Sequence, residues 1–184
     1  MRLISSNARG AAAFLVLIAF APTTLAQSHQ PYTGLEARSI KALSEQQIAD
    51  LRAGRGMSLA LAAELNGYPG PMHVLELADE LNLSGQQRAE MQELFAAMKA
   101  EAIPLGERLI AQEADLDRGF AGKTITAATL AASTDAIGAT HAALRQAHLK
   151  YHLLTVEVLA PAQAQRYGEL RGYKGGAQYP HRQH

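Results

Sequence analysis

The sequence of 184 residues has no cysteine and no tryptophan, and only 5% of it is aromatic. Without cysteine no disulfide can tie the chain, even in an oxidising compartment. Stability has to come from helix packing, helped by dimerisation. With few large rings the core must be built on Ala and Leu, which favours close helix–helix contact over a large enclosed pocket. Net charge is lacking too, since 17 basic side chains balance 17 acidic ones. Nucleic-acid binding normally calls for a basic face, so no nucleic acid is expected as a partner. Catalytic signatures are missing as well: there is no G-x-S-x-G, no P-loop and no H-E-x-x-H. Glu113, Asp115 and Asp117 are spaced like a solvated helix surface and have no evident pocket. These gaps point away from an enzyme and toward a protein that works by binding.

Long apolar runs are absent except near the start, where Ala11 to Ala21 reads AAAFLVLIAFA. That run is about half of the ~20 residues needed to span a bilayer. Arg2 and Arg9 precede it, and Pro22 and then Thr24-Leu25-Ala26 follow it. This is the pattern of a secretory signal peptide, with cleavage expected after Ala26 and export to the periplasm. The mature chain is then slightly acidic and is not expected to span a membrane.

Residues 27–42 read as a polar N-terminal arm, ordered only if something holds it. Leu43-Ser44-Glu45-Gln46-Gln47 opens a helix, because Ser44 can cap it and Gln47 can reach back. That helix runs to about Arg52 and ends at Gly54 and Gly56. A second helical piece is expected over Met57 to Leu65. Tyr68-Pro69-Gly70-Pro71 is a rigid turn, and a short helix is expected from His73 to Leu81. Leu83-Ser84-Gly85-Gln86-Gln87 repeats the capping box. Apolar residues then recur in steps of three, four and seven from Met91 to Phe120, marking one face of a helix. Pro104 lies inside this stretch and should kink or break it near Glu101. After the turn at Gly122-Lys123-Thr124, Thr126 caps a last long helix. Pro161 suits the first turn of a further one that ends near Gly172. Residues 173–184 read as a disordered tail. No segment alternates like a strand. The expected fold is all-α: a long antiparallel helical hairpin with short N-terminal helices. A hairpin has more apolar face than it can bury alone, so the short helices and a second subunit are both expected to cover it.

A Leu-Ser/Thr-x-x-Gln element occurs at Leu43 to Gln47 and again at Leu83 to Gln87. A third copy, Leu159-Ala160-Pro161-Ala162-Gln163, has Ala160 in place of the hydroxyl and is followed by Tyr167. Over residues 43–172 the chain resembles the LTxxQ-motif family of periplasmic proteins. That family includes Spy/CpxP-like chaperones and stress-response regulators, and the CnrX-like periplasmic heavy-metal sensors. The resemblance implies a helical hairpin that often forms a cradle-like antiparallel homodimer. It also implies either an ATP-independent chaperone or envelope-stress adaptor, or a metal sensor. The implied partners are unfolded or envelope proteins, or a membrane-bound signalling partner.

The histidines are the sharpest chemical feature. His141, His148 and His152 lie within about 40° of one another on one helix face at 100° per residue. His148 and His152 are also i, i+4, the spacing that lets two imidazoles meet one metal ion. His73 and Glu76 are i, i+3 on the short helix after the prolines. If that helix packs on the last long one, His73, Glu76, His148 and His152 form a candidate site for Zn²⁺, Ni²⁺, Co²⁺ or Cu²⁺, with His141 a more distant ligand. In the CnrX-like sensors a late His-x-x-x-Met pair holds metal. His148-x-x-x-His152 is similar, with His in place of Met, while the family's upstream His-x-x-x-His is absent. The competing reading makes these histidines hydrogen-bonded packing residues of the apolar stripe. His181 and His184 belong to the tail. Met91, Leu94, Phe95 and Met98 are candidate client-binding residues, because methionine adapts to varied partners. The competing reading makes them hairpin core.

Overall fold

A computed structural model of the chain describes residues 32–173, so the expected signal peptide and His181 and His184 lie outside the described residues. From Gly34 onward these residues form one unit. It is all-helical and contains no strand among the described residues, only one antiparallel bridge between Ile40 and Leu43. After a 3-10 turn at Leu35–Ala37 come α1 (Glu45–Arg52), α2 (Leu61–Glu64), α3 (Pro71–Glu76), α4 (Gly85–Ala121), α5 (Ala127–Val158) and α6 (Pro161–Leu170). α4 and α5 pack on each other as the long hairpin, and α1 and α3 lie against α4.

The starts and stops of these helices follow local chemistry. Ser44 and Ser84 each accept from the backbone N–H three residues on, and Gln47 and Gln87 each accept from the cap's own N–H. Each such cap is worth about 0.5–2 kcal/mol. Thr126 and Thr129 do the same for α5. At five stops the chain turns left-handed and donates back to a carbonyl five residues earlier: Arg55 to Asp50, Tyr68 to Ala63, Leu83 to Ala78, Thr124 to Gly119 and Tyr173 to Gly168. The left-handed residue is Gly54, Gly67, Asn82, Lys123 or Gly172. Glycine takes this conformation without a Cβ penalty, and asparagine tolerates it.

Three expectations need correction. Pro104 does not end α4, which runs unbroken from Gly85 to Ala121. Pro104 and Ala100 are exposed, so water can serve the carbonyl that the proline leaves unpaired. The helix expected over Met57–Leu65 shrinks to Leu61–Glu64, because Met57 and Ser58 have positive φ. The helix expected to begin at His73 starts two residues earlier, with Pro71 as its first residue, and ends at Glu76. In the second half of the N-terminal arm the condition for order is met. Ile40 and Leu43 are buried with Ile48, Leu51, Ala102, Leu109, Ile110 and Leu144.

A second core cluster joins Val74, Leu81, Met91, Leu159 and Tyr167. Beside it, the second and third Leu-x-x-x-Gln elements interlock. The Gln87 amide donates to the Gln163 oxygen at 2.8 Å and to the Val158 carbonyl at 3.0 Å. The Gln163 amide donates to the Gln87 oxygen at 3.1 Å and to the Leu81 carbonyl at 3.2 Å. Gln163 Oε1 also accepts from the Ala160 N–H at 2.9 Å. Ala160 therefore lacks the hydroxyl half of a capping box while the glutamine half persists. All four amide hydrogens of the pair are used, which is what partly buried amides require.

Cover over the hairpin is uneven. The last buried residue of α4 is Ile110, and the first of α5 is Thr140. Beyond them the two helices continue for about three turns, or roughly 17 Å at 1.5 Å per residue, with Ala114 and Ile137 still packed on the first cluster and Lys41 reaching Asp117 at 3.4 Å. Phe120 is 54% exposed and Leu130 is 38% exposed in this stretch.

Candidate functional site

The turn Tyr68-Pro69-Gly70-Pro71 brings α2 and α3 against α5. Gly70 makes the approach possible, since a Cβ there would sit 2.9 Å from His152 Cε1. Where the loop after α1, α2, α3, α4 and α5 meet, they leave a cavity of about 540 Å³. It is open to one side, so it is a cleft between helices and not a large enclosed pocket. The cause lies in small residues: Ala53, Gly54, Gly56, Ala60 and Gly70 line the wall and fill little of it.

His148 and His152 face this cavity and are buried at 2% and 7% exposure. His152 Nδ1 lies 2.6 Å from the Tyr68 carbonyl oxygen. A carbonyl can only accept, so Nδ1 carries the proton, and in the neutral ring Nε2 keeps the lone pair. His148 Nε2 is buried without a hydrogen-bond partner. Burial, and secondarily the neighbouring His152, holds the His148 ring below the ordinary imidazole value of 6.5.

Glu64, at 7% exposure, is the acid that stands beside these rings. Its Oε1 accepts from the Tyr167 hydroxyl and, at 3.2 Å, from the Tyr173 hydroxyl. Its Oε2 is buried without a partner and lies 3.8 Å from His152 Nδ1. Arg171 Nε is 3.9 Å from Oε1. Burial, and then the bond to Glu64, raises the Tyr167 phenol far above its usual range. The sequence reading passed over Glu64. Its signal was present: it is a lone acid ending the apolar run Leu59-Ala60-Leu61-Ala62-Ala63, with no basic residue three or four positions away on either side.

The other candidate ligands separate. His73 lines the cavity but pairs with Glu76 at 3.0 Å, and Glu76 is exposed and outside the lining. His141 is exposed and does not join the buried stripe, which runs through Thr140, Leu144 and Ala147. Among the described residues no three His, Asp or Glu side chains form a group that could hold a metal ion. The candidate four-ligand set is therefore not brought together: His148 and His152 share the cavity wall, while His73 pairs with Glu76.

The candidate client-binding residues also divide. Met91 is fully buried, and Leu94 packs on the same cluster, so Met91 is withdrawn as a client contact. Met98 is buried in the cavity wall. Phe95 lines the same wall and is partly exposed, with the Lys99 ammonium 5.7 Å over its ring. Met57, Leu61 and Met72 are exposed residues of the lining.

His148 predicts a pH dependence. Above pH 6.5 the ring is neutral in both the folded and unfolded chain. As pH falls below that value the unfolded chain takes up a proton that the folded site resists, so stability falls. We expect a lower melting temperature at pH 5.5 than at pH 7.5, and a smaller drop in His148→Phe. An identical drop in the variant assigns the effect to other groups.

Among the described residues no helix is long and apolar enough to cross a membrane. Comparison of the chain with protein-family models, curated proteins and solved structures finds no match.

Proposed function

We propose that the chain is a non-catalytic binding protein of the cell envelope. On this reading it holds apolar stretches of unfolded or partner polypeptides on the open end of its hairpin, in the manner of the Spy/CpxP-like chaperones it resembles. The observation that carries the reading is the stretch between Ile110 and Thr140, which holds no buried residue and exposes Phe120 and Leu130 at its end. Two helices cannot bury both of their faces, and exposed apolar side chains at their end offer an interaction surface. A second copy of the chain is the competing occupant of this face, as a homodimer would require.

The test is suppression of aggregation of a chemically unfolded client at near-stoichiometric amounts. Phe120→Ser/Leu130→Ser should keep the melting temperature of the hairpin within a few degrees and lose most of the suppression. A wild-type chain that fails to suppress aggregation at twofold excess overturns the proposal. Sedimentation of both forms tells whether the same face joins two copies.

A metal-binding or metal-sensing role is the second reading. It is favoured by the free Nε2 of His148 and by the Tyr68 carbonyl that fixes the His152 tautomer, the arrangement that orients metal-binding imidazoles. Its weak point is the missing third ligand. Calorimetric titration with Zn²⁺, Ni²⁺, Co²⁺ and Cu²⁺ should give sub-micromolar binding that a His148→Ala/His152→Ala variant abolishes. Absence of binding leaves only the first reading.

A further inference from the structure

The charges in the wall of the cleft are matched within the protein, with one exception. Arg55 pairs with Asp50 at 2.7 Å, and His73 with Glu76 at 3.0 Å. Arg171 lies 3.9 Å from Glu64 and 4.0 Å from Glu76. Glu64 accepts from the hydroxyls of Tyr167 and Tyr173, and His152 donates to the Tyr68 carbonyl. Glu64 Oε2 and His148 Nε2 lack a partner but are covered by protein, so they leave no open group on the wall. Lys99 is the exception. Its ammonium stands 5.7 Å over the Phe95 ring, and it has no carboxylate partner among the described residues. Both side chains line the cleft and are half-buried.

The rest of the wall is largely apolar. Met57, Leu61 and Met72 line it and are still exposed, and Met98 lines it as well. Large apolar side chains left exposed along a concave surface mark a binding site. Methionine, unbranched and polarizable, fits itself to an apolar body of varied shape. The backbone at Met57 and Ser58 is strained, with φ of 39° and 68°, where side chains other than glycine seldom go. Such strain persists only where the surrounding structure over-determines it, and it gathers at ligand clamps. The volume of about 540 Å³ falls within the range of about 300–1,000 Å³ typical of small-molecule sites.

These features select the ligand. One unmatched cation asks for one anionic group. A wall poor in open polar groups asks for a body that has none. A polypeptide brings an N–H and a C=O with nearly every residue, and this wall could not satisfy them. A sugar or nucleotide brings more still. An alkyl chain brings none. We infer that this cleft binds a medium-chain fatty acid ion, with its carboxylate on Lys99 and its chain along Met57, Leu61, Met72, Phe95 and Met98. The inference is independent of polypeptide capture on the hairpin end, which involves other residues.

The probe is octanoate, titrated into the full chain by calorimetry beside hexanoate and 1-octanol. Low salt is used, because salt screens an exposed ion pair. Burying one methylene is worth about fourfold in affinity, so octanoate should bind about tenfold or more tighter than hexanoate. Lys99→Gln should weaken octanoate about fivefold, the effect of one partly exposed ion pair, and leave 1-octanol unchanged. A second measurement needs no variant. The methyl signals of Met57, Met72 and Met98 should move on adding octanoate, while that of Met91, in the second core cluster, stays in place. No binding at millimolar octanoate overturns the inference. So do equal affinities for the two acids, an unchanged octanoate affinity in the variant, an equal loss for 1-octanol, or movement of Met91 in place of the other three. Tighter binding of the tripeptide Gly-Leu-Leu than of octanoate would also overturn it and give the cleft to polypeptide ends.

Discussion

Gly106→Ala is expected to lower the stability of the fold by about 3 kcal/mol, at the upper end of overpacking effects. A Cβ at this position would stand 2.5 Å from the Leu51 carbonyl oxygen and 2.9 Å from its carbonyl carbon. Both atoms are backbone, so no side chain can swing aside, and α1 would have to lift away from α4. Lifting α1 uncovers Leu51 and Ile48, which belong to the first core cluster. Gly138→Ala on α5 is the control. Nothing lies within 4 Å of a Cβ there, and alanine in a helix interior is favoured over glycine by about 0.5–1 kcal/mol. Urea unfolding of the two variants should move in opposite directions. Equal midpoints would mean that α1 does not lie this close to α4 in solution.

The second large effect belongs to the paired glutamines. Gln87→Ala removes both of that amide's donated bonds, the reach-back to the Ser84 N–H, and a partner of Gln163. We expect each single alanine variant to lose about 2 kcal/mol or more. The double variant should lose about 1–2 kcal/mol less than the sum, because removing the second glutamine no longer strands the first. Strict additivity in that double-mutant cycle would show that the two amides act only as separate helix-start residues.

These two cases mark how far the sequence could be read. Ser44, Ser84 and Thr126 announce their helices because a cap and its target are three residues apart, and the spacing of Met91 to Phe120 announces a face in the same local way. The recurrence of Leu-x-x-x-Gln was visible too. Its purpose was not, since Gln87 and Gln163 are 76 positions apart and only the packed fold makes them neighbours. The candidate site divides along the same line. His148 and His152 share a face by helical arithmetic alone, and both do line the cavity. His141 shares their angle and yet is exposed, because helical phase says which side a residue faces but not what packs against that side at each turn. Glu64 was passed over because a buried acid owes its place to Tyr167 and Tyr173, which enter the sequence about a hundred residues later.

The unequal cover of the hairpin has a consequence for amide exchange. The amides between Ile110 and Thr140 sit in helices that hold no fully buried residue there, whereas those near Met91 and Thr155 lie under a fully buried core. Opening the first group exposes little apolar area, so its deuterium uptake should report local fraying, while the second group exchanges only when the whole unit unfolds. The tip therefore loosens without disturbing the cavity. A polypeptide that settles on it meets two helices already able to splay, and their adjustment costs the rest of the molecule nothing.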